Sequence, residues 1–179
     1  MNLDEIKKKK QELMEEKIKD DFNLVSYDNF ELVSNGMRES NKTLEFKETF
    51  TVTGLVNKAG NNLILDIGKL IGSQIEIDEE EINNRESDIS LSRARTIENE
   101  VKINLPEGYY VEGLDNLLFN INNEIGAFKT SFSEHNGQIA IKTIKLYKKK
   151  EFGKDKWPLM VEFLDAAYNF TQKKVVLKK

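Results

Sequence analysis

Apolar and polar positions alternate through most of this chain, and the period of that alternation divides it into elements. Residues 3 to 20 follow helical spacing, with Leu3, Ile6, Leu13 and Met14 along one stripe, Asp4 and Glu5 in the first turn, and no Gly or Pro inside. The stripe is thin and the remainder is Lys and Glu, so the segment reads as a solvated connector helix that docks one face on a neighbour. From Phe22 onward the period drops to two. Leu44, Phe46, Phe50 and Val52 share one face and Glu45, Lys47, Thr49 and Thr51 the other, which predicts a half-buried strand over 43–53. Ala59-Gly60-Asn61-Asn62 marks a turn, after which Leu63, Leu65 and Ile67 resume the alternation up to Gly68. A short alternation at Ile75 and Ile77 ends in Asp78-Glu79-Glu80-Glu81, and the apolar-poor stretch 82–96 reads as an exposed loop or edge.

The second half is more regular. Val101, Ile103 and Leu105 alternate into the Pro106-Glu107-Gly108 turn, with Tyr109 and Val111 beyond it. Phe128, Thr130 and Phe132 lead to Asn136-Gly137, and Ile139 and Ile141 return, a hairpin whose turn residues suit positive φ angles. Apolar parity then shifts to Ile144 and Leu146, which predicts a β-bulge near Lys142-Thr143. Trp157-Pro158 opens an amphipathic helix over about 158–170, with Met160, Phe163, Leu164 and Ala167 on one face, and Val175 to Leu177 forms a closing strand. The pattern therefore predicts a mainly β chain, an antiparallel β-sandwich with the C-terminal helix covering an open end or face. Residues 1–21 form the connector and 22–179 the sandwich, with room for a subdivision near 97–105.

Composition narrows the chemistry more than the fold. With 179 residues, 39% of them hydrophobic, the chain is long enough to bury a core without covalent staples. It has no Cys, which removes disulfides, thiolate metal sites and cysteine nucleophiles together. The single imidazole, His135, sits beside the predicted hairpin tip, where neither a tautomer-fixing partner nor a tuning pocket is at hand, so it reads as an exposed turn residue. One His without Cys also makes a poor zinc shell, and no catalytic, metal or cofactor-binding residue is expected. Asp78 to Glu81 lacks the Asp/Asn ladder and Gly of a calcium loop and reads as a solvated acidic turn. Gly68-Lys69-Leu70-Ile71-Gly72 lacks the Lys-Ser/Thr ending of a phosphate loop and reads as a turn between strands. Asn41-Lys42-Thr43 and Asn169-Phe170-Thr171 match the glycosylation triplet, a pattern with many false positives. Tyr109, Tyr110 and Trp157 are the candidate ligand-facing aromatics, a sugar-stacking platform, though core or rim packing explains each more simply.

The net charge of -4, with both signs interspersed, argues against a nucleic-acid partner, and the Lys7 to Lys10 run is offset by Glu12, Glu15 and Glu16. No apolar run approaches the ~20 residues of a membrane-spanning helix, so no membrane insertion is expected. Met1 to Asp21 lacks the apolar centre of a secretory signal.

Four segments carry a family resemblance: 63–72, Leu105-Pro106-Glu107-Gly108-Tyr109, Asn123-Glu124-Ile125-Gly126-Ala127-Phe128, and the closing 174–179. Together they resemble the C-terminal region of bacterial transglutaminase-like proteins, which carry an N-terminal β-rich domain of unknown function, a transglutaminase-like core and a C-terminal β-sandwich. The resemblance spans roughly 22–179. It implies that the catalytic Cys-His-Asp triad belongs to a core outside this chain, that helix 3–20 leads away from that core, that Met1 starts an excised domain, and that the parent is exported to the periplasm or cell envelope. The expected function is that of a non-catalytic accessory or interaction domain, packing on other domains of the parent or binding a protein or glycan partner. A carbohydrate-binding module built on Tyr109, Tyr110 or Trp157 is the alternative, and a carboxylate-pair glycosidase a second one.

Overall fold

The computed structural model describes residues 3–35 and 43–179, and the chain divides into two compact units, Met1–Leu55 and Val56–Lys179. The division falls after Leu55, whereas the hydrophobic pattern places a boundary after Asp21. In the first unit, helix α1 (Leu3–Asp21) lies against strand β1 (Asn23–Asn35), which pairs antiparallel with β2 (Leu44–Thr53). The side chains of Leu3 and Ile6 lie outside the described ones, as do Asn41 and Lys42 of the first glycosylation triplet. Ile18 and Phe30 are buried, and the hairpin is held by stacked rings, Phe22 on Phe50 at 6.3 Å and Phe30 on Phe46 at 5.8 Å between centroids. The Tyr27 hydroxyl donates to Glu48 at 2.6 Å. Strand β1 is longer than its partner, and the surplus is absorbed by register shifts that leave Val25, Asp28 and Val33 without an opposite residue. That is why Val25 and Val33 are among the exposed aliphatics.

The second unit is mainly β, made of antiparallel sheets with a C-terminal helix. One four-stranded sheet runs in the order β6 (Arg95–Asn104), β10 (Gln138–Tyr147), β9 (Gly126–His135) and β8 (Asn120–Asn122). Another holds β3 (Val56–Ala59), β4 (Asn62–Leu65), β12 (Val175–Lys178) and β7 (Tyr110–Glu112), and a small ladder joins β5 (Ile89–Ser90) to β11 (Glu151–Phe152). The closing strand β12 is thus interior, paired on both sides by β4 and β7, and its Val175 and Leu177 are buried.

Helix α3 (Trp157–Thr171) starts with Pro in its first turn and packs on β9 and β8. Met160, Phe163, Leu164 and Ala167 are buried there, with Phe163 edge-on to Tyr147 at 5.4 Å and Phe119, Phe128 and Phe170 forming a mutual edge-to-face trio. The α3 C-terminus closes against a 3₁₀ turn at Ile67–Ile71, where the Gly68 N–H donates to the Lys173 carbonyl at 3.0 Å. At Gly68 a Cβ would overlap the Phe170 backbone, so only Gly permits this approach.

Five local expectations change. Ile67 leaves the strand for the 3₁₀ turn because β4 stops at Leu65. Ile75 and Ile77 lie outside any strand or helix, and the Asp78 run is a short helix α2 (Glu79–Asn83), whose Glu81 N–H donates to the Asp78 carboxylate at 2.8 Å. The stretch 82–96 is not wholly exposed, since Ile89 is buried in the β5–β11 ladder. Most consequentially, β10 has no bulge. It pairs residue for residue with β9 on one side and β6 on the other, and the buried parity runs through Ile139, Ile141, Thr143, Lys145 and Tyr147. The strand keeps its phase by burying two polar side chains, and Ile144 and Leu146 take the other face, half-buried.

Two glycines separate backbone strain from steric overlap. Gly137, at φ 70° with Asn136 at φ 50°, forms the β9–β10 turn in open space, so Gly137→Ala should cost about 1 kcal/mol. Gly68→Ala must displace backbone and should cost about 3 kcal/mol. Chemical denaturation of both variants checks this ordering.

Candidate functional site

The unbroken phase of β10 carries polar groups into the sheet face covered by α3, toward the side where β6 forms the edge. Pairing sets Tyr147 opposite Arg95, Lys145 opposite Ile97 and Thr143 opposite Asn99. Side chains directly opposite in an antiparallel pair share a face, so Arg95, Ile97 and Asn99 line up beside the β10 row. Lys145 is 7% exposed and Thr143 1%, while Ile97 on the edge strand keeps 40% of its surface open.

Around Tyr147 the charges converge. The Arg95 guanidinium lies 4.6 Å from the ring centroid and the Lys145 ammonium 5.5 Å, positions suited to cation–π attraction. The Lys145 Nζ donates to the Gln74 side-chain carbonyl at 2.9 Å, and Asn99 donates to the Thr143 hydroxyl at 3.3 Å. Among the described residues, neither Arg95 nor Lys145 has a carboxylate at ion-pair distance. The opposite face of the same strands behaves differently, with Lys142 paired to Glu98 at 3.0 Å and Lys102 to Glu100 at 3.6 Å. Burial, and then the Arg95 charge, push Lys145 down from 10.5 to about 8. Burial raises the Tyr147 hydroxyl, against the opposing pull of Arg95. The result is a partly desolvated pair of cations beside one aromatic ring, a setting that attracts an anion.

A second buried charge is compensated. Asp66, at the start of the 3₁₀ turn, has Lys174 Nζ 2.9 Å from one oxygen and Lys69 Nζ 3.5 Å from the other. The Lys174 approach lies outside hydrogen-bond angles, leaving that buried oxygen with an ionic contact instead of an aligned donor. The lysines, Lys174 first, hold the carboxyl below its ordinary range against the opposing effect of burial. This trio ties the β4 end to the residue before β12 and reads as structural.

The candidate aromatics do not form a common ring cluster. Tyr109 is half-buried and its hydroxyl donates to the Asn61 carbonyl at 3.3 Å. Tyr110 is 50% exposed on β7, opposite Lys178. Trp157 is buried at the head of α3, its indole N–H donating to the Glu81 carbonyl at 2.9 Å and its ring covered by Arg85 at 4.7 Å. His135 is exposed at the end of β9, and the second glycosylation triplet lies on α3 with Phe170 in the core. Among the described residues there is no group of three or more His, Cys, Asp or Glu that could hold a metal ion, and no helix is long and apolar enough to cross a membrane. The Arg95–Lys145–Tyr147 cluster escapes the sequence reading because a bulge at Lys142-Thr143 turns Lys145 outward. The residues alone carry no signal for it, because the apolar positions after Ile141 fall at Ile144 and Leu146.

A family model described as a Domain of Unknown Function with a solved structure, DUF3858, matches residues 61–177. That is well over half of the chain and contains the whole cationic row, so the chain belongs to the DUF3858 family. Comparison with curated proteins and with solved structures returns no match.

The depressed Lys145 pKa has a stability consequence with a definite sign. Between about pH 8 and 10.5 the unfolded chain holds a proton on Lys145 that the folded chain has released, so this residue makes stability rise with pH across that window. The full shift corresponds to roughly 3 kcal/mol of destabilisation below pH 8. Lys145→Met should therefore stabilise the chain by about 2 kcal/mol at pH 7 and remove the alkaline rise; denaturant midpoints at pH 7 and pH 10.5 measure both.

Proposed function

We propose that this member of the DUF3858 family is a non-catalytic interaction domain of a larger transglutaminase-like protein, exported to the cell envelope, and that it docks another segment of that protein along strand β6. The observation that carries this reading is the state of that strand. Among the described residues, β6 is paired over its ten residues on one side alone, by β10, and its inward row of Arg95, Ile97, Asn99, Val101 and Ile103 stays half-buried or exposed. An unpaired edge beside an incompletely covered apolar row invites strand addition by a partner segment. The compositional lack of a cysteine nucleophile and the position of His135 at a solvated hairpin tip agree with an accessory role.

Hydrogen exchange tests it. The outward amides of β6 should exchange at least tenfold more slowly when the chain is joined to the rest of its open reading frame than in the 179-residue chain. Equal exchange in both overturns docking along β6. Hydrolase or transferase turnover by the 179-residue chain, abolished by one point substitution, overturns the non-catalytic reading.

A further inference from the structure

The cations on the β6–β10 face point to the chemistry of what docks there. Lys145 offers three N–H donors, and Gln74, on the irregular stretch after the 3₁₀ turn, supplies a neutral oxygen to one of them. Arg95 offers a planar fork beside the same Tyr147 ring. The other lysines of this sheet edge find glutamates on the opposite face, so the missing acid is specific to the inward row. Ile97, opposite Lys145 in register and open to solvent, marks the approach from the free edge. A desolvated cation without a counter-charge is costly, and a carboxylate arriving with a strand along β6 would supply that charge and displace Gln74. We propose that Arg95 and Lys145 form a carboxylate-binding site at the open edge of the sheet, filled by an acidic side chain of the polypeptide that adds to β6. This rests on the interaction-domain reading above, and it names the partner's chemistry: an extended segment with apolar residues facing Ile97 and Val101 and an Asp or Glu facing Arg95 and Lys145.

The test is an NMR titration at pH 7 and constant ionic strength, following the Lys145 and Arg95 side-chain resonances. The probes are a terminally blocked extended peptide of alternating Val and Thr with one central Glu, its Gln counterpart, free succinate and inorganic phosphate. The Glu peptide should shift both resonances saturably, with affinity at least roughly tenfold above the Gln peptide, and Arg95→Gln and Lys145→Met should each lose about that factor. Lys142→Met, on the other face, should bind as the parent does, which separates the site from general loss of positive charge. No saturable shift with either the Glu peptide or succinate, equal binding of the Gln peptide, or phosphate binding as tightly as the Glu peptide overturns the site, and succinate binding without peptide binding overturns its polypeptide source. Glu-peptide binding combined with unchanged β6 exchange in the longer protein leaves the carboxylate site standing and removes the accessory reading alone.

Discussion

Strand β10 is paired without interruption along both of its edges, and the rest of the second unit depends on that constraint. A strand's side chains alternate strictly, so a one-residue slip would send Ile139 and Ile141 to the outer face and uncover the core beneath α3. Two ladders fixed in register forbid the slip, with the tight Asn136-Gly137 turn setting one of them. The consequence is that whatever occupies positions 143, 145 and 147 must face inward. Thr143 adapts by meeting Asn99, Tyr147 by packing on Phe163, and Lys145 by reaching past Tyr147 to Gln74.

Electrostatics follows from this placement. An alternating strand can bury a lysine near a sheet edge because the long alkyl stem fills the apolar layer while the ammonium finds a polar neighbour. Burial disfavours the charged ammonium and Arg95 adds a second positive charge nearby, which is why Lys145 holds its proton weakly, while Gln74 provides hydrogen bonding without charge. Asp66 shows the alternative arrangement in the same unit. Its buried carboxylate is met by two lysines and stays ionised more readily than usual. One charge is closed within the fold and the other is left open at an edge, and that contrast is the basis for assigning structure to the first and binding to the second.

Features set by neighbours in sequence were legible from the residues alone. The β9–β10 hairpin is announced by Asn136-Gly137, helix α3 by Trp157-Pro158 and its apolar stripe, and β2 by the alternation from Phe46 to Val52. What depends on distant segments was not. Nothing local tells that the closing strand lies between β4 and β7, that Ile89 is covered through pairing with β11, or that Arg85 covers the buried Trp157 ring. The site was missed for a related reason. Reading polarity as exposure makes a bulge the economical way to turn Lys145 outward, and only the two-sided register shows that the backbone does not allow it.

The most direct measurement is the titration of Lys145 itself, followed by NMR in the folded chain with Lys145→Met to assign the signal. An inward Lys145 beside Arg95 should titrate near pH 8, well below the ordinary lysine value. A Lys145 resonance that instead titrates at the ordinary lysine value of 10.5 would mean that β10 turns this side chain outward, and the continuous register would be wrong.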